Sequence, residues 1–144
     1  MHELIDNVPA QWSSAFNAGL AYFAVTFGFG FLLGTLRMLV VVPAIGDISA
    51  VMLEMPIMLA ISWFSSRWLV GRFRVPEGLA PRLVMGGFAF ALLMFAEVGL
   101  SIFGFGRTFA EHLATYCQIA SIVGLLGQLA FASFPAIQLS MIDA

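Results

Sequence analysis

Three ionisable side chains, Arg37, Glu54 and Glu97, stand inside runs of sequence that are otherwise almost wholly apolar. A charge in a hydrocarbon layer costs about 2.5–3.5 kcal/mol on insertion scales, so each needs a partner, a route to water or a task. Arg37 and Glu54 carry opposite signs and flank the turn signal Pro43-Ala44-Ile45-Gly46, so they are expected to pair between neighbouring helices. Glu97 is then the surplus carboxylate. Without its own cation it is suited to accept and release a proton, or to recognise a cationic or hydrogen-bonding ligand. Gln128, near the middle of the last apolar run, could complete the cluster. Arg37, Glu54, Glu97 and Gln128 are the expected ligand or proton site.

Plainer uses exist for each of them. Arg37 lies near the end of its run and could snorkel outward without a partner. With Glu54 it could simply latch two helices together, and Glu97 could be a protonated packing residue. Pro56, two residues after Glu54, removes a backbone donor and frees the carbonyl of Met52. Such breaks occur around membrane binding sites, and also where nothing binds.

Four apolar stretches position these residues. They run about 18–42, 48–70, 83–105 and 118–137, each near the ~20 residues that cross a hydrocarbon core. Of 144 residues, 61% are hydrophobic and only 10% charged. So few charges could not cover a soluble fold, and a bilayer removes that need. The runs are continuous, which excludes the alternation of membrane strands. The predicted fold is therefore an all-α integral membrane protein, a four-helix transmembrane bundle in one domain spanning 1–144. The first stretch is too long for a signal peptide and lacks a basic leader. Asp47 is expected to cap the second helix, and Thr108-Phe109-Ala110-Glu111 reads as a capping box that could start the fourth helix early.

Depth can be counted at 1.5 Å per residue. Measured from the helix centres near Gly30, Leu59 and Met94, Arg37 lies about 10 Å, Glu54 about 7 Å and Glu97 about 4–5 Å toward the same side. Three helices thus bring their charges into one layer roughly 6 Å thick.

Arginine placement gives the direction. Arg67, Arg72, Arg74 and Arg82 flank the link between the second and third helices, against Arg37 and Arg107 at the opposite ends. That bias predicts a cytoplasmic link and both termini cytoplasmic, in a bacterial inner membrane. Trp12, Trp63 and Trp68 fall where the inner aromatic belt would lie. Gly30 with Gly34, and Ser121 with Gly124 and Gly127, make small-residue seams that suit close helix packing within the chain or in a homo-oligomer. No internal repeat marks an inverted-repeat transporter.

Several chemistries are excluded or weak. The net charge of −2 gives no reason to expect nucleic acid. There is no lysine, so no Schiff-base cofactor can be attached, and the lone Cys117 allows no internal disulfide. His2 and His112 fall on opposite sides and cannot form a bis-histidine haem pair. Glu111, His112 and Cys117 could ligate a metal, and Met52, Met55 and Met58 could attract Cu(I), but neither spacing is a recognised one. No nucleophile–base pair can be named. Neither a cofactor nor a metal is expected, and an enzyme is disfavoured.

Two functional classes remain. One is a small transporter, channel or ligand-binding protein built on the Arg/Glu cluster. A chain this short has little room for a solute pathway of its own, so this class is expected as a homo-oligomer in the lipid bilayer. The alternative is a non-catalytic accessory or assembly subunit, held to other membrane subunits by the same charges.

Overall fold

The computed structural model describes residues 8–142, so His2 and both chain ends lie outside it. Among the described residues every regular element is helical. Helix α1 (Val8–Leu36) continues through a π-helical turn, Arg37–Val41, and a last turn, Val42–Ile45. Helix α2 is Asp47–Arg72, and α3 (Leu79–Gly99) continues through a second π turn, Leu100–Gly104. A short helix α4 (Phe109–Ala114) and a 3₁₀ turn (Thr115–Cys117) lead into α5 (Ile119–Ile142).

Four of these helices are long and apolar enough to cross a membrane: Trp12–Ile45, Asp47–Arg72, Leu79–Gly104 and Ile119–Met141. The first is longer than expected at both ends. Pro43 does not stop it, because the π turn widens the ladder where the ring would otherwise meet the carbonyl of Leu39. The turn is made instead by Gly46, whose φ of 87° belongs to the left-handed region that favours glycine. Gly46 rather than Asp47 occupies the N-cap position of α2, and Asp47 is its first helical residue. The capping box at Thr108 and Glu111 is formed, but it opens the separate helix α4 rather than α5.

Each long helix packs on two neighbours, in the order α1–α3–α5–α2 and back to α1. Helices α1 and α2 are therefore adjacent, as are α3 and α5, while α2 and α3 stand diagonally. The link from Phe73 to Gly78 has to cross beneath the bundle, and it carries the buried Val75 into the core. The core gathers toward this end around Tyr22, Leu69, Met85, Ala89 and Phe131. Pro135 frees the carbonyl of Phe131 in α5, and the Tyr22 hydroxyl donates to it across the diagonal at 2.7 Å. The Tyr22 and Phe131 rings also stack at 4.1 Å.

Arg82 completes the closure. It is 2% exposed, with Nη1 donating to the Pro135 carbonyl at 3.1 Å and Nε to the Pro76 carbonyl at 3.3 Å. Ser66 donates to Gln138 at 2.9 Å, and Gln138 donates to the Trp63 carbonyl at 2.8 Å. Helices α3 and α5 approach closely at Gly86, where any Cβ would collide with the Ala132 carbonyl. The outer faces are apolar, with Phe95 78% and Phe103 89% exposed, as suits a lipid-facing bundle.

Candidate functional site

The opposite end of the bundle is built differently. Its two connections, the Gly46 turn and the α4 segment, join adjacent helices, so nothing crosses the centre. A cleft of about 910 Å³ fills that space, lined by all four long helices and by the α4 segment. A cleft of this size sits within the usual range for small-molecule sites. Four helices whose far ends are joined only to their neighbours can splay there.

All four residues expected at the site line this cleft. They form two pairs. Arg37 Nε lies 2.6 Å from Glu54 Oε2, joining α1 to α2. The N–H is not aimed along that line, so the contact is an ion pair rather than an aligned hydrogen bond. Gln128 Nε2 donates to Glu97 Oε1, joining α5 to α3. Among the described residues no hydrogen bond or ion pair joins one pair to the other. Helix counting explains the shared level. Each residue stands seven to nine positions from the far end of its helix (Ile45, Asp47, Gly104 and Ile119), or about 10–14 Å deep.

Backbone geometry singles out the same region. Arg37 opens the π turn of α1, and the π turn of α3 begins three residues after Glu97. Such turns interrupt the regular ladder and are frequent at functional sites.

The chain matches no known protein family, and no curated protein or solved structure is similar to it. Its chemistry therefore has to be read from the cleft.

Polar groups that the sequence reading passed over complete the lining. Thr26 Oγ1, Ser101 Oγ and His112 Nε2 are buried without a hydrogen-bond partner, as is the amide oxygen of Gln128. All four belong to residues that line the cleft. Buried polar atoms in proteins are nearly always satisfied, by protein or by water, so four such atoms around one cavity give it hydrogen-bonding capacity for water or a ligand. Thr26 was legible as the far end of the 26, 30, 34, 37 face of α1, and Ser101 as the residue one turn beyond Glu97.

Helix α4 and the 3₁₀ turn after it bring His112 and Tyr116 to the cleft, with their rings edge-on at 5.5 Å. Burial and the nearby Glu97 carboxylate both push the Tyr116 hydroxyl up from its ordinary value, so it stays a neutral donor. Arg107 and Cys117 are exposed at this end. Glu111, His112 and Cys117 do not gather: among the described residues no three metal-ligating side chains converge.

The small-residue seams divide. Gly127 packs against Met55 and Gly30 against Met58, within the bundle. At Gly28 and Gly124 an added Cβ would meet nothing within 4 Å.

Proposed function

We propose that the protein is a small integral membrane protein that binds a small solute in a one-sided cleft, with Arg37, Glu54, Glu97 and Gln128 at its polar level. The observation that carries this reading is the convergence of these residues and four unpartnered buried polar atoms on one cavity of about 910 Å³. A latch between helices needs a pair, not a cavity with spare hydrogen-bonding capacity around it. The sealed arginine-rich end argues for binding from one side over an open channel. The arginine bias supports an orientation with that end and both termini in the cytoplasm, at a bacterial inner membrane, and the cleft opening outward.

Gly124 supplies the test. It lines the cleft and an added Cβ there meets nothing within 4 Å, so Gly124→Phe is the change chosen to occupy the cavity. The protein would be purified in mild detergent and its bound small molecules identified by native mass spectrometry. A bound solute, lost in Gly124→Phe while the unfolding midpoint is kept, supports the proposal. A stable complex with other membrane subunits, its composition unchanged by Gly124→Phe, would replace it with the assembly role.

A further inference from the structure

We infer that the solute is an amphipathic amine: a protonated amino group seated against Glu97 and Gln128, with an apolar body lying toward the aromatic part of the cleft. The inference rests on the one-sided cleft proposed above and adds the class of its occupant.

The polar capacity left over in the cleft decides the sign. Arg37 is engaged by Glu54, so the one deep cation is already matched. Arg107 is exposed at the mouth, beside Phe105. Among the described residues Glu97 has no cation of its own, and its single partner is the Gln128 amide. That bond uses an N–H of the amide and turns the amide oxygen into a second bare acceptor, which is buried and unpartnered. A carboxylate and an amide oxygen together accept N–H groups and repel an anion. Ser101, one turn from Glu97, adds a hydroxyl that accepts as readily as it donates.

The rest of the ligand follows from the remaining wall. Phe27, Phe31, Met58, Leu59, Leu93 and Leu125 line the cleft, so a bare ammonium ion or a fully polar solute would leave most of it unsatisfied. Aromatic faces also attract cations, which favours an organic ammonium over a neutral body of the same shape. Other charged or titratable groups on the cleft are Arg37 from α1, Asp47 and Glu54 from α2, and Arg107, His112 and Tyr116 from the α4 segment.

A series of one shape and three charges tests the claim: 2-phenylethylamine, 2-phenylethanol and phenylacetate. Binding would be measured by calorimetry on the protein in nanodiscs, with empty nanodiscs subtracted. A hydrogen bond to a charged group discriminates by roughly ten- to hundredfold. The amine is therefore expected to bind at least about tenfold tighter than the alcohol, and phenylacetate weakest. Glu97→Gln should bring the amine down to the level of the alcohol. Should that variant fail to fold, Glu97→Asp keeps the charge and must keep the ranking. The inference is overturned if the alcohol or phenylacetate binds as well as the amine, or if Glu97→Gln preserves the preference. In the first case the cleft still binds and only the class of solute is wrong. Binding of none of the three overturns the inference too, and leaves the cleft itself to the Gly124→Phe experiment.

Discussion

Replacing Arg82 by lysine separates two reasons for a cation at that position. Topology requires only positive charge, which lysine supplies equally well. The structure gives arginine a task that lysine cannot copy. Its guanidinium is buried and spans two carbonyls, Pro135 on α5 at 3.1 Å and Pro76 on the crossing link at 3.3 Å. An ammonium on a four-carbon stem is a point donor without the planar fork, and it serves one of the two sites. A hydrogen bond to a charged group contributes about 1.5–3 kcal/mol, so Arg82→Lys should destabilise by about that amount. The longer contact to Pro76 favours the lower end. Arg67→Lys is the control, because Arg67 is exposed, and a surface change of that kind stays within about 0.5 kcal/mol. Stability would be read from circular dichroism in detergent micelles titrated with SDS. Equal midpoints for Arg82→Lys and Arg67→Lys would refute the bridge and leave Arg82 as a topological charge only.

The ion pair of Arg37 and Glu54 should show coupling in a double-mutant cycle with Arg37→Met and Glu54→Gln. Their side chains are 28% and 18% exposed, so each single change is expected to cost about 1–3 kcal/mol, below the 3–5 of a fully buried pair, and the double change less than the sum by about 1 kcal/mol. Additivity within about 0.5 kcal/mol would mean that the contact contributes nothing. For orientation, native Cys117 is exposed at the cleft end and should react with an impermeant thiol reagent in intact cells. Cys117→Ser carrying Glu77→Cys, with its thiol on the arginine-rich link, should be protected. The reverse pattern would invert the orientation.

Much of this was legible because the bilayer reads sequence coarsely. Four continuous apolar runs announce four long helices whatever their packing, and charges inside such runs stand out. Opposite signs on Arg37 and Glu54 across a turn sufficed to pair them, since a short turn makes its helices neighbours. Ends were less legible. Pro43 reads as a stop, yet a π turn absorbs it, and hydropathy carries no sign of π geometry. Arg82 was counted with its exposed neighbours, because burial depends on a link crossing from α2 to the diagonal α3. No local pattern announces that crossing. Thr26 and Ser101 lie at helical spacing from Arg37 and Glu97, but their types alone do not separate them from other small polar residues in an apolar helix. Among the glycines, Gly19 and Gly86 make the close approaches without any GxxxG spacing to advertise them.

The crossing link also limits what a single chain can do. At the sealed end, four hydrogen bonds (Tyr22 to Phe131 across the diagonal, Ser66 to Gln138, Gln138 to Trp63 and Arg82 to Pro135 between neighbours) and the Tyr22–Phe131 stack hold the helices together. At about 1 kcal/mol each, opening that end costs on the order of 5 kcal/mol. That is a bias of roughly several thousandfold. A solute shifts such an equilibrium only by its preference for the open form, so even to balance the two it would need a preference of about that size. The polar groups that would grip the solute lie above the seal, between the splayed ends, and they are in place whether the seal is open or shut. Binding there supplies no such preference. On the proposed reading, a solute held by Glu97 and Gln128 would therefore stay on the side from which it came, and release to the other side would require the link carrying Val75 to move with the ligand.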